Sequence, residues 1–300
     1  MTDIWTHEFT QSVPVAAARL FEAFTTESEL EQWFAEHARV EPKLGGVFRF
    51  WGRHTIGTPT ASDATGTVTA FEQNALLGFG WTICRVPSAV TISFTPDPDK
   101  PDDGTAVSIR HELRGALDQP RPKELIDDWW RFTLGNLVAW TTQNGEVLRP
   151  DFSDTNPKIR LSMTVDAPCE AVFQALIDPE ALRTWMGAPA PVVEPKVGGR
   201  YELGWRYQVD GKDVAGGPMR ILDIVPNQRL VVDWPDWRGD ATVPMQSITW
   251  LLEPHGDGTR LTLIHAGFTR TVDFSDYPFG WGHFMGELAK VSVAIGVDDR

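Results

Sequence analysis

Three hundred residues, 42% apolar and 11% aromatic, describe a globular chain long enough for one large domain or two ordinary ones. Lys and Arg total 27 against 41 Asp and Glu, and the net charge of −14 excludes a nucleic-acid groove or an anionic membrane surface as the main partner. The charge is shared evenly, 13 basic against 20 acidic residues up to position 150 and 14 against 21 after it.

In chain order, the first eight residues show no basic stretch followed by an apolar run, and no segment nears the roughly 20 apolar residues that span a bilayer. Cys84 and Cys169 are not spaced as a redox or metal pair, so the expectation is a reduced, unprocessed cytoplasmic chain. Glu41-Pro42-Lys43-Leu44-Gly45-Gly46 reads as a hairpin turn, with Pro fixing φ and the glycines supplying positive φ. Beyond it, alternation puts Leu77, Phe79 and Trp81 on one strand face, Val90, Ile92 and Phe94 on a second, and Val107, Ile109 and His111 on a third. Asp97 to Gly104 reads as a solvated loop, and Asp127-Asp128 as acidic residues at the start of a helix through Trp129, Trp130 and Leu134 to Trp140. Gly145 to Lys158, polar and aperiodic with Pro150 and Pro157, reads as a linker.

The remainder repeats what precedes it. Glu194-Pro195-Lys196-Val197-Gly198-Gly199 copies the turn at an offset of 153, and Val13, Phe21, Leu30 and Trp33 meet Val165, Phe173, Leu182 and Trp185. Trp81 meets Trp234, His111 meets His265, and Trp130, Leu134 and Leu137 meet Trp281, Met285 and Leu288. The second copy predicts a strand at Arg160–Val165, a helix through Phe173 and Leu176, and a second helix capped by Asp178 with Pro179 at its first position, ending near Trp185. Strands are then predicted at Tyr201–Gln208, Val214–Val225, Arg229–Trp234, Pro244–Glu253 and Arg260–His265, followed by a long amphipathic helix from Trp281 through Ile295. Asp298-Asp299-Arg300 reads as a solvated tail. The fold class is α+β in two tandem domains, 1–147 and 158–300.

This order, with Asp178-Pro179-Glu180-Ala181-Leu182-Arg183-Thr184-Trp185, the Glu-Pro-Lys-x-Gly-Gly turn, and His265-Ala266-Gly267-Phe268, resembles the helix-grip (SRPBCC) superfamily that includes START and Bet v 1 domains. More narrowly, each half is similar to the family related to the C-terminal domain of the Hsp90 ATPase activator. The second copy matches closely, whereas the first has Thr26-Glu27-Ser28-Glu29 and Arg110-His111-Glu112-Leu113 at the corresponding motifs. The resemblance implies a curved antiparallel sheet around a long C-terminal helix, with an apolar cavity between them.

Residues facing such a cavity are Trp205, Trp234, Trp250, Leu263, His265, Trp281 and Met285 in the second copy, and Trp81, Ile92, His111 and Trp130 in the first. Each set is apolar with one imidazole. Trp33 and Trp185 read as packing residues, and core filling is the competing account of every aromatic in the two sets. No His-Glu-x-x-His, Cys-x-x-Cys, Gly-x-Ser-x-Gly or phosphate-loop pattern occurs, so no metal, cofactor or catalytic residue is expected. Three function classes follow: a binding module for a small apolar or amphipathic molecule, which the paired apolar faces favour; an Hsp90-activating co-chaperone; and a cyclase- or aromatase-like enzyme with His265 or His283 moving protons. The expected division of labour is that the second copy binds and the first scaffolds.

Overall fold

The computed structural model of the chain describes residues 4–99, 104–209 and 211–298. Residues 100–103 of the expected acidic loop, and the tail from the Asp298 side chain onward, lie outside the described residues. Contacts divide the chain into two compact units, 1–154 with 270–276 and 155–269 with 277–300. The expected boundaries left 270–276 with the second half. By its contacts this segment lies with the first: Val272 is part of the first unit's core, and Asp273 accepts from Arg121 (2.9 Å) and from Arg270 (2.6 Å), a charged cluster with little exposure.

The first unit begins with β1 (Ile4–Val13), α1 (Ala17–Thr25) and α2 (Glu27–Trp33). It continues with β2 (His37–Val40), β3 (Phe48–Trp51), β4 (Val68–Glu72), β5 (Leu76–Ile83), β6 (Val86–Pro96), β7 (Thr105–Arg114) and α3 (Pro122–Thr142). The main sheet is antiparallel in the order β1-β7-β6-β5-β4, and β2 pairs with β3 across the glycine turn. The second unit repeats the plan with β8 (Ile159–Val165), α4 (Cys169–Ile177), α5 (Pro179–Trp185), β9 (Val192–Val193) and β10 (Tyr201–Glu202). It adds β11 (Trp205–Val209), β12 (Lys212–Gly216), β13 (Ile221–Val225), β14 (Arg229–Trp234), β15 (Gln246–His255), β16 (Gly258–Ala266) and α6 (Tyr277–Asp298). Its sheet runs β13-β14-β15-β16-β8, the same topology strand for strand.

Local chemistry accounts for the elements. Asp178 caps α5, accepting from the backbone N–H groups of Glu180 (2.7 Å) and Ala181 (3.0 Å), with Pro179 opening the helix. Trp33 and Trp185 each donate to a carbonyl ten residues earlier, of Ala23 and Ala175, tying the two short helices together. In the glycine turns only the first glycine takes positive φ, +76° at Gly45 and +77° at Gly198. The second is required for a different reason: a Cβ on Gly46 or Gly199 would lie 2.2 or 2.1 Å from the Glu41 or Glu194 carbonyl oxygen.

Three expectations change. The predicted strand Tyr201–Gln208 is broken at Gly204 (φ +81°), and Val214–Val225 is broken at Gly216-Gly217-Pro218, with Gly217 at φ +81°. The segment between the breaks folds back as β11–β12, a hairpin whose strands, among the described residues, pair only with each other. Third, α3 starts at Pro122, so Asp127 and Asp128 sit in its second turn and do not cap its dipole; Asp127 instead pairs with Arg131 (2.9 Å), and Asp128 is buried.

One turn stores strain. Ile83 pairs with Val86, leaving Cys84-Arg85 as a two-residue hairpin loop with φ of +48° and +68°, a conformation that suits Asn-Gly. Arg85 is exposed, so Arg85→Gly is expected to stabilise the first unit by about 1 kcal/mol. A thermal melt of the variant that fails to rise would refute the account.

Candidate ligand site

The alternating strands and the long helices bring the predicted residues together. In the second unit Trp281 of α6 donates its indole N–H to Nδ1 of His265 (3.1 Å), and His265 Nε2 lies 2.6 Å from Oε1 of Gln246. An indole nitrogen only donates, so Nδ1 accepts, and the imidazole proton sits on Nε2 and points at the Gln246 carbonyl oxygen. The first unit repeats this: Trp130 donates to Nδ1 of His111 (3.2 Å), Nε2 reaches Oγ of Ser88 (2.9 Å), and Ser88 donates to the Trp81 carbonyl (2.7 Å). Ser88 pairs with Trp81 across the sheet as Gln246 pairs with Trp234, so the two relays are equivalent position by position.

Both imidazoles are fully buried. Burial, with His7 nearby as a lesser cause, pushes the His111 pKa down to about 3; burial pushes that of His265 well below the usual histidine value. Each histidine is neutral, and its two nitrogens are occupied by core partners. Such a group braces helix against sheet, and it has neither a free lone pair nor an open path for a proton from solvent. Sequence reasoning placed the histidines but lacked their partners, because Ser88 and Gln246 differ in type and carry no motif.

The other predicted residues are core residues as well. Trp250 packs edge-on against Trp185 and Trp281, at 5.9 Å in each case. Leu263 faces Trp250 in register, and Trp234 and Met285 are buried with them. In the first unit Trp81 stacks on His111 (5.3 Å, 20°), while Ile92 and Trp130 are fully buried. Among the predicted residues, Trp205 alone reaches the surface, half-buried on β11.

The two units differ at one helix face. Matching Trp130 to Trp281 through their shared histidine contact sets Trp129, Phe132, Thr133 and Asn136 against Gly280, His283, Phe284 and Glu287. On α3 this face is buried and sealed by the chain that follows. Asn136 exchanges side-chain hydrogen bonds with the Leu148 backbone (2.8 and 2.9 Å), His54 Nδ1 lies 2.9 Å from the Pro150 carbonyl oxygen, and Phe152 packs edge-on against Trp129 (5.3 Å). What remains is a cavity of about 10 Å³, room for a single water, lined by Trp129 and Thr133, whose buried Nε1 and Oγ1 have no protein partner.

On α6 the same face is open. Gly280 and His283 are exposed, and Phe284 is half-buried. Trp205 lies nearly parallel to Phe284 (6.1 Å, 27°) and edge-on to Trp234 (6.2 Å). Tyr207 follows on the same hairpin face at 38% exposure, and Tyr277 accepts from Trp234 Nε1 (3.3 Å). A Cβ added to Gly280, Gly282 or Gly286 would meet nothing within 4 Å. Sequence reasoning missed Tyr207, Gly280 and Phe284 as rim residues; the signal available was the Trp129-to-Gly280 exchange between the copies.

A larger open recess of about 590 Å³ lies at the Arg229 end of β14, lined by Cys169, Asn227, Arg229, Leu251 and Glu253 among others. None of the predicted residues faces it. Of its polar groups, Asn227 reaches Glu170 (3.4 Å) and Arg229 pairs with Asp223 (2.6 Å), and no aromatic ring lines it.

Two repeats of an antiparallel sheet with a long closing helix, each braced by a Trp–His relay, define a tandem α+β helix-grip protein. The description "Activator of Hsp90 ATPase homolog 1-like protein" matches residues 14–141 and again 166–292, and the chain belongs to that family. No match was found among curated proteins. Among solved structures it is similar to DynU16, described as a protein in the dynemicin biosynthetic locus, at 18% identity over 97% of this chain and 95% of that one, with a TM-score of 0.38. It is also similar to a protein from Mesorhizobium loti (21% identity, 45% of this chain and 96% of that one, TM-score 0.37). A third similarity is to the Aha1 dimer from Colwellia psychrerythraea (19% identity, 44% and 93%, TM-score 0.34). No helix among the described residues is long and apolar enough to cross a membrane.

Proposed function

We propose that the protein is a binding module for a small apolar or amphipathic molecule, held at the rim of the second unit while the first unit serves as scaffold. The observation that supports this most directly is the unequal fate of one helix face: covered by Phe152 and the 148–150 backbone on α3, bare on α6 beside Trp205, Tyr207 and Phe284. Gly280, Gly282 and Gly286 each cost about 1 kcal/mol of helix propensity relative to Ala. No neighbouring atom in the structure requires them. A ligand that must lie close to the helix backbone gives them a use. The two free cysteines fit a reducing cytoplasm.

Native mass spectrometry of the purified chain tests the reading. One small molecule per chain is expected, carried through purification or taken up from an added set of apolar and amphipathic compounds. A chain that stays bare under both conditions, or one that takes up two molecules per chain, overturns the assignment to the second unit.

The family description favours a second reading, an Hsp90-activator-like module. It predicts a faster chaperone ATPase in the presence of this protein, and an unchanged rate at saturation removes it.

A further inference from the structure

Resting on the ligand-binding reading above, we infer that the rim of the second unit is a clamp for a flat, conjugated ring system, inserted between Trp205 on the β11–β12 hairpin and Phe284 on α6. Most ring pairs in this chain meet edge to face, as Trp185–Trp250 and Trp250–Trp281 do. Phe48–Phe79 (19°) and Trp81–His111 (20°) are near parallel but sealed in the core. Trp205–Phe284 is near parallel at the surface, with both rings half-buried. A saturated ligand gains only buried apolar area from parallel faces, whereas a flat π-system also stacks on each of them.

The two rings also sit on elements that can part. Among the described residues the strands of β11–β12 pair with each other and with no other strand, and the hairpin is bounded by Gly204 and by Gly216-Gly217, with Gly204 and Gly217 both at φ +81°. Sandwiching a flat ring needs about 7 Å between the outer rings, two contacts of about 3.5 Å each. The observed 6.1 Å separates ring centroids and not ring planes, so seating a flat ring between them takes a hinge movement of up to about 3.5 Å, the thickness of the inserted ring. The hairpin face turned to the site is apolar through Trp205, Tyr207 and Val214, with Tyr207 beside Trp205 at 6.3 Å and Val214 opposite Tyr207 in register, and ends on Lys212 opposite Val209. Gly216 lets the Tyr207 ring lie flat across the hairpin, because a Cβ there would come within 2.1 Å of it. The other face carries Arg206 and Gln208, both exposed.

Equilibrium dialysis of the full chain against 9-anthracenemethanol and its fully saturated perhydro analogue separates planarity from hydrophobicity. The planar probe is expected to bind at least fivefold tighter. Trp205→Leu and Phe284→Leu each keep an apolar side chain and are expected to abolish that preference, while Trp205→Phe retains most of it; circular dichroism confirms that the variants are folded. Equal binding of the two probes, or an intact preference in both leucine variants, overturns the clamp and leaves the ligand-binding reading in place. Binding of neither probe overturns both.

Discussion

Lowering the pH from 7.5 to 5 is expected to remove about 2 kcal/mol of folding stability from the first unit through His111, and to destabilise the second unit in the same direction through His265. Burial holds the folded pKa of His111 at about 3 and that of His265 well below 6.5, the value each recovers on unfolding. Above pH 6.5 both states are neutral at these positions and the contribution is fully present. As the pH falls below 6.5 the unfolded chain takes up protons that the folded chain refuses, and stability drops, by about 1.4 kcal/mol per pH unit for His111. For His111 the loss continues until the pH reaches about 3. Between pH 6.5 and 5 ordinary carboxylates stay ionised, so the window isolates the imidazoles. Urea unfolding at pH 7.5, 6 and 5 reads the slope, and His111→Gln with His265→Gln is expected to flatten it. The same double variant should lose stability at pH 7.5, because Trp130 and Trp281 are then left with buried indole donors. A slope that survives in the double variant assigns the acid sensitivity elsewhere.

That relay shows how far the sequence reached. Repetition at a nearly constant offset paired His111 with His265 and Trp130 with Trp281; period-two alternation put the histidines inside, and helical spacing the tryptophans. Alternation reports which side of a sheet a ring occupies. It does not report whether a side chain meets a ligand or another side chain, so Trp250 and Leu263 read as lining residues, and in the structure they pack in the second unit's core. The hairpin β11–β12 was hidden at one end because Gly204 is an isolated glycine in a β-rich stretch, which does not announce a fold-back; at the other end Gly216-Gly217-Pro218 is a turn signal that the predicted strand Val214–Val225 ran through. The membership of 270–276 in the first unit was out of reach for a different reason. It depends on Asp273 meeting Arg121, 152 residues earlier in the chain, a contact that no local pattern encodes.

The exchange of Trp129 for Gly280 supports the second expected result: Gly280→Trp is expected to abolish ligand uptake by the second unit without harming its fold. Gly280 is exposed on α6, and a Cβ there meets no atom within 4 Å, so the substitution creates no backbone clash. Replacing a helical glycine also recovers propensity, about 0.5 kcal/mol for Trp and about 1 for Ala. Gly280→Ala should therefore raise the melting temperature and leave most of the binding, while Gly280→Trp places an indole across the mouth beside Phe284, where Trp129 stands in the first unit. The reciprocal change is costly. Trp129 is 1% exposed and packed against Trp81, Phe34 and Phe152, so Trp129→Ala is expected to destabilise the first unit by about 3 to 5 kcal/mol. Binding measured by native mass spectrometry and stability measured by melting keep the two effects apart. Undiminished uptake in a folded Gly280→Trp variant would place the ligand away from α6 and end the proposal that the bare helix face is the site.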